Sequence, residues 1–160
     1  MYKTVVFDLD GTLLNTLTDL ADAGNRLCRK YGWPTHERQA YRYFVGNGIP
    51  KLVERLAPAD QRTPAVLEAA LADFKRDYGQ HLRDTTAPYP GIPEMLAKLK
   101  ANGVQLAVFS NKADALAKEV VKDYFGTQYF TIVRGQMTGV APKPAAEGTN
   151  ALLQALHAVA

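Results

Sequence analysis

Two aspartates follow an apolar segment near the start of the chain, and a glycine comes directly after them. Val5, Val6 and Phe7 predict a strand buried on both faces, with Asp8 and Asp10 at its carboxyl end. In an open parallel sheet, ligands bind just beyond the carboxyl ends of the strands, so both carboxylates are expected in such a crevice. There they could supply a nucleophile for phosphoryl transfer, or they could simply be solvated acidic residues ahead of a turn.

The segment at residues 8–12, Asp-Leu-Asp-Gly-Thr, resembles the first motif of the haloacid dehalogenase superfamily. Four later segments match that superfamily in order and separation, and its phosphoglycolate phosphatase branch most closely: residues 44–48, 88–91, 110–112 and 143–144. The resemblance implies a Mg²⁺-dependent phosphatase that acts on a small phosphorylated metabolite. The substrate expected from it is 2-phosphoglycolate.

The resemblance also implies roles for the two aspartates. Asp8 is the expected nucleophile, because an aspartyl phosphate splits one difficult hydrolysis into two easier steps. Asp10 is expected to protonate the leaving alkoxide and later to accept a proton from water. The Asp8 carboxylate and the Asp10 backbone carbonyl are the expected protein ligands of Mg²⁺, which usually keeps water and substrate oxygens as well.

Further polar residues are expected to bind phosphate. Ser110 is predicted to end a core strand and open the next helix, so that its hydroxyl and the backbone amide of Asn111 reach phosphate oxygens. By itself it would be a helix cap. Thr12 has the same two interpretations. Lys143 matches the superfamily's lysine that neutralises phosphate and nucleophile, although a lysine between prolines is usually solvated, and the following residues 145–146 depart from the Asp-Pro of close relatives.

A Gly-Asn-Gly segment separates two predicted helices. The glycines permit close backbone approach to a ligand, and the resemblance implies that Gly46, Asn47 and Gly48 contribute to substrate specificity. The alternative is an ordinary loop. The histidines have no partner spacing, and none is assigned to catalysis.

Hydrophobic spacing predicts the elements that must position these residues. Steps of three and four predict a helix over about residues 16–31, with three more helices before residue 84. From residue 85 onward helix and strand alternate, which is typical of a parallel sheet. The predicted fold is a doubly wound, Rossmann-like α/β core of residues 1–14 and 85–160, with an inserted all-helical cap of residues 15–84.

In the superfamily a fourth core strand supplies further acidic metal ligands, and the sequence ends at Ala160 before such a strand. The core is therefore expected to be incomplete at its C-terminal end, with a missing third ligand and an exposed sheet edge that favours self-association. Asp114 and Glu147 are interpreted as helix-start residues. A phosphosugar mutase of the same superfamily and a catalytically impaired phosphate-binding fragment remain alternatives, whereas Asp10 disfavours a dehalogenase.

Composition limits partners and location. The formal net charge is +3 and no basic block occurs, so no nucleic-acid partner is expected. No segment is predicted to span a membrane, and the apolar N-terminal segment is too short for a signal peptide. The single cysteine, Cys28, fits a reducing compartment, so a cytoplasmic location is expected.

Overall fold

The computed structural model describes residues 2–157, which form two compact units, one of residues 2–15 with 88–157 and one of residues 16–87. The strands are β1 (Thr4–Phe7), β2 (Leu14–Asn15), β3 (Ala87–Pro88), β4 (Gln105–Ala113) and β5 (Ile132–Gln136). The helices are α1 (Leu17–Tyr31), α2 (Tyr41–Phe44), α3 (Ile49–Leu56), α4 (Pro64–Gln80), α5 (Ile92–Ala101), α6 (Asp114–Phe125) and α7 (Ala146–Ala155). None of the helices within residues 2–157 combines the length and apolar character needed to cross a bilayer.

The α/β unit contains a parallel sheet in the order β1-β4-β5, while β2 and β3 form a separate two-stranded pair. In the three-stranded sheet Val5 pairs with Leu106, and Phe7 pairs with Val108. These residues lie on the face that packs against α5 and α6, with Leu96 and Val120 in the same core cluster. The parallel-sheet α/β core predicted from the sequence is confirmed.

The expectation that β1 is buried on both faces is wrong for Val6, which is 39% exposed. Val6 pairs with Ala107 and so lies on the opposite face from Val5. On that face α7 covers the central and far strands, where its Leu152 packs with Ala107 and Phe109. Because β1 is an edge strand, this packing leaves Val6 partly in solvent.

The other unit is helical, and its main contact joins α1 to α4. Leu20 and Leu27 of α1 are buried, as are Phe74 and Tyr78 of α4, whose rings lie 5.6 Å apart between centroids. The three- and four-residue spacing of apolar positions explains why each helix has one buried face. Trp33, just beyond α1, is also buried and donates from Nε1 to Gln61.

A buried carboxylate joins the start of α1 to the end of this helical unit. Asp19 is 2% exposed and lies in the first turn of the helix. Its two oxygens accept hydrogen bonds from the backbone N–H groups of Thr85 and Thr86, each at 2.9 Å at the closest, and from both threonine hydroxyls at 2.5 and 2.7 Å. Four donors satisfy one charge, so the carboxylate fixes where residues 85–86 lie against α1.

Candidate active site

A tight turn follows β1 and determines where its two aspartates point. The Leu9 carbonyl accepts N–H groups from Thr12, Leu13 and Leu14 at 3.2, 3.0 and 3.1 Å. All three leucines are fully buried and anchor the turn in the core. Because Asp8 and Asp10 alternate with Leu9, their side chains are directed away from it: that of Asp8 is 45% exposed and that of Asp10 is 20% exposed.

The ammonium of Lys143 contacts the first of these carboxylates, that of Asp8. Its Nζ lies 2.8 Å from Asp8 Oδ1 and 2.6 Å from the Phe109 carbonyl oxygen. The same ammonium lies 5.2 Å from the centroid of the Phe109 ring. Lys143 is 27% exposed, so a ligand at the end of β1 can reach this cation.

The Asn111 side chain holds the backbone of Lys143 in place. Asn111 Oδ1 accepts the Lys143 N–H at 2.8 Å, and Asn111 Nδ2 donates to the Lys143 carbonyl at 3.2 Å. These two bonds are arranged like those of a strand pair. They fix the loop before α7 against the end of β4, a role for Asn111 that the sequence did not suggest.

Lys112 contacts the second carboxylate and was not among the residues predicted for the site. Its Nζ lies 3.0 Å from Asp10 Oδ1 and 3.3 Å from Oδ2, and its side chain is only 3% exposed. A buried ammonium requires a charged or polar partner, because desolvation otherwise makes it very costly. One signal was present in the sequence: Lys112 directly follows the polar pair at the end of an apolar strand.

The predicted location of Ser110 at a helix N-terminus is wrong. Strand β4 continues to Ala113, and α6 begins only at Asp114. The register between β4 and β5 shifts between Phe109 and Ala113, and within this irregular stretch the Lys112 N–H donates to Ser110 Oγ at 3.1 Å. A hydroxyl that accepts this bond can still donate its own hydrogen, so Ser110 keeps a donor for a ligand oxygen.

The remaining predicted ligand-binding residues lie in two places. Thr12 is exposed in the turn after β1, near the aspartates in sequence. Gly46, Asn47 and Gly48 belong to the helical unit, in the turn between α2 and α3, where Asn47 Oδ1 accepts from Arg55 at 2.9 Å. Both glycines have positive φ angles, 103° and 85°, which a residue with a side chain rarely adopts.

Asp114 serves the fold, as its interpretation as a helix-start residue suggests. Its carboxylate accepts the Gly135 N–H at 2.9 Å and an ammonium hydrogen of Lys118 at 2.7 Å. Partial burial opposes ionisation, but the bonds from Lys118 and Gly135 prevail and hold the pKa of Asp114 below its ordinary value. Gly135 has no room for a side chain, because a Cβ there would lie 2.4 Å from the Lys112 carbonyl oxygen.

The donor set suits a hard divalent cation. Within residues 2–157 no group of three or more His, Cys, Asp or Glu side chains is arranged to hold a metal ion. Asp8 offers a carboxylate oxygen and Asp10 a backbone carbonyl oxygen, and Mg²⁺ is commonly held by one or two carboxylates together with water and substrate phosphate oxygens. The two aspartates therefore fit Mg²⁺ bound together with a phosphorylated ligand.

Comparison with known proteins gives consistent matches. The family model of haloacid dehalogenase-like hydrolases matches residues 5–160. The phosphoglycolate phosphatase of Thiobacillus denitrificans is 33% identical over 145 residues, covering 89% of this chain and 64% of the relative. The phosphoglycolate phosphatase of Neisseria meningitidis is 35% identical over 136 residues, covering 83% of this chain and 58% of the relative. The chain thus spans roughly three fifths of the length of these two curated relatives.

A solved structure shares the fold along almost the whole chain. It is a crystal structure from Lactobacillus delbrueckii subsp. bulgaricus, described as a candidate phosphoglycolate phosphatase. The TM-score is 0.90 at 27% identity, and the match covers 99% of this chain and 74% of that one.

Proposed function

The chain belongs to the haloacid dehalogenase-like hydrolase family, and on that premise we propose that it is a Mg²⁺-dependent phosphatase with Asp8 as its nucleophile. One observation carries this function: the Lys143 ammonium lies 2.8 Å from an exposed Asp8 carboxylate at the carboxyl end of β1. Transfer of a phosphoryl group depends mainly on positioning and on stabilising negative charge. A cation beside the attacking carboxylate reduces its repulsion from an incoming phosphate.

The reaction proceeds in two half-reactions. In the first, an Asp8 oxygen attacks phosphorus, the bond from phosphorus to the ester oxygen breaks, and the Asp10 carboxyl gives its proton to the leaving alkoxide. In the second, water attacks the phosphorus of the aspartyl phosphate, Asp10 accepts a proton from that water, and the bond to Asp8 breaks to release inorganic phosphate. Each half-reaction uses one carboxylate as nucleophile or leaving group and the other as acid or base.

Other residues of the chain bind and orient the phosphate. Lys143 contacts its charge, and the hydroxyls of Ser110 and Thr12 and the backbone N–H of Asn111 donate to its oxygens. The Asp8 carboxylate and the Asp10 backbone carbonyl would hold Mg²⁺, which supplies further charge neutralisation at the phosphate oxygens when bound.

The substrate proposed is 2-phosphoglycolate, supported by the names of the relatives at 33% and 35% identity. Residues 15–84 would form the cap of this site, with Gly46, Asn47 and Gly48 contacting the organic part of the substrate. Among the described residues β1 pairs with β4 on one side only, and this open strand edge supports self-association as a further proposal. The cytoplasm is the proposed location, because the chain's single cysteine fits a reducing compartment.

Removal of the nucleophile tests this function. The Asp8→Asn variant should release no inorganic phosphate from 2-phosphoglycolate with Mg²⁺, because an amide does not attack phosphorus. The unmodified chain, quenched during turnover and reduced with borohydride, should carry homoserine at position 8 in mass spectrometry. Asp60→Asn removes an equal charge at an exposed position and should retain full activity. Phosphate release by Asp8→Asn at the unmodified rate would exclude the mechanism.

A further inference from the structure

Two lysines contact the two site carboxylates, and their surroundings differ. Lys143 is partly exposed, contacts one oxygen of Asp8 and is accessible to a bound ligand. Lys112 is 3% exposed and lies within 3.3 Å of both oxygens of Asp10, whose own side chain is 20% exposed. The Lys112 ammonium is therefore shielded from solvent on the protein side of Asp10, where it contacts that carboxylate.

We propose that Lys112 is a positioning residue, which holds Asp10 mainly through the nearer, inner oxygen Oδ1 at 3.0 Å and leaves the outer oxygen Oδ2, at 3.3 Å, for proton transfer in both half-reactions. This role rests on the proposed phosphatase function. A carboxylic acid keeps its carbonyl oxygen as an acceptor, so Lys112 can donate to the inner oxygen whether or not the outer oxygen carries the proton. The outer oxygen is then the one that gives the proton to the leaving alkoxide and later accepts one from water.

The end of strand β4 fixes the backbone of Lys112, the residue that is proposed to position Asp10. The Lys112 N–H donates to Ser110 Oγ, and the Lys112 carbonyl lies where a Cβ on Gly135 of β5 would clash. The Lys112 backbone is thus anchored through its N–H and packs closely on Gly135, in the irregular end of β4. A rigidly held donor is what orientation of a proton-transferring group requires, because small errors of position cost much of the rate.

The test compares leaving groups. Glycolate is a poor leaving group that needs a proton, whereas 4-nitrophenolate departs without one, so only the former depends on an oriented acid. In single turnovers, release of the alcohol or phenol reports the first half-reaction alone. Lys112→Met should slow this step about 100-fold for 2-phosphoglycolate and less than about 10-fold for 4-nitrophenyl phosphate. Equal losses on both substrates would overturn the proposal.

A double-variant comparison separates action through Asp10 from any independent effect. In the Asp10→Asn background, Lys112→Met should change the rate on 2-phosphoglycolate by less than about twofold, since the group that it positions is already lost. A further loss as large as in the unmodified chain would overturn the proposal. Lys118→Met is the matched control, because it removes an exposed ion pair with Asp114 on α6, and it should leave both rates unchanged.

Two further measurements keep the test decisive. If Lys112→Met does not fold, Lys112→Arg replaces it, because a charged donor of different shape should shift the Asp10 carboxylate. A loss of rate confined to 2-phosphoglycolate then supports the positioning role, and an equal loss of rate on both substrates refutes it. If the unmodified chain releases nothing from either substrate, the proposed function fails, and Lys112 is judged by crystal structures. There Lys112→Met, or Lys112→Arg in its place, should move the Asp10 carboxylate from its rotamer, and an unmoved carboxylate would refute the positioning role.

Discussion

Replacing Asp19 by asparagine should lower the free energy of unfolding of the helical unit by about 3 kcal/mol. The carboxylate receives two backbone N–H groups and two hydroxyls from residues 85–86. In asparagine one oxygen becomes an NH₂ group that faces donors. The threonine hydroxyls can rotate to accept from it, but a backbone N–H cannot, so one buried N–H loses its acceptor at about 1–3 kcal/mol. The bonds that remain lose the assistance of the charge, which adds about 1 kcal/mol.

Urea unfolding followed by fluorescence measures this loss of stability in the helical unit that contains Asp19. Trp33 is the chain's single tryptophan and is buried among the helices, so its emission reports their unfolding. With a denaturant slope of about 1–3 kcal/mol per molar, the midpoint should fall by about 1–3 M. Asp22→Asn removes the same charge from an exposed position of α1 and should change stability by less than about 0.5 kcal/mol. Equal midpoints for the two variants would refute the reasoning.

The remaining predictions concern packing and reactivity inside the same helices. Gly24→Ala should destabilise by about 1–2 kcal/mol, because its Cβ would lie 2.5 Å from Tyr41 Oη and the overpacking outweighs the gain in helix propensity. Gly79→Ala in α4 is the matched control, because no atom lies within 4 Å of its new Cβ, and it should raise the free energy of unfolding by up to about 1 kcal/mol in the same urea assay. If both variants were destabilised, the contact with Tyr41 would not be the cause of the loss at Gly24. Burial raises the pKa of Cys28 to about 11, so at pH 8 the thiol stays protonated, and iodoacetamide should alkylate the folded chain at least about 10-fold more slowly than the chain in urea. Equal rates in both states would contradict this assignment.

The features that the sequence predicted well depend on local patterns. The three- and four-residue spacing predicted α1, and the apolar segment at residues 104–109 predicted most of β4. Both patterns lie within short stretches of sequence, so they can be recognised without knowing any long-range contact. The contact of Lys143 with Asp8 was predicted from the family resemblance, not from the pattern itself.

The features that were missed depend on residues far apart in the chain. Asp10 and Lys112 are separated by 102 positions, and Asp19 and Thr86 by 67, so no local pattern marks either pair. The exposure of Val6 depends on which strands α7 covers. The extension of β4 past Ser110 depends on its pairing with β5 at Gln136, which a Ser-Asn pair resembling a helix cap cannot reveal.

The side chain of Asn111 binds Lys143 through its main-chain N–H and carbonyl groups, which every amino acid except proline has. The side chains next to Lys143 in the loop are therefore not needed to orient its ammonium, so these positions can accept other residues. Ala145 and Ala146, which stand where close relatives have Asp-Pro, are substitutions of this kind. Position 111 is constrained instead, because loss of the Asn111 side-chain amide would remove the bonds that hold the backbone of Lys143, 32 positions away.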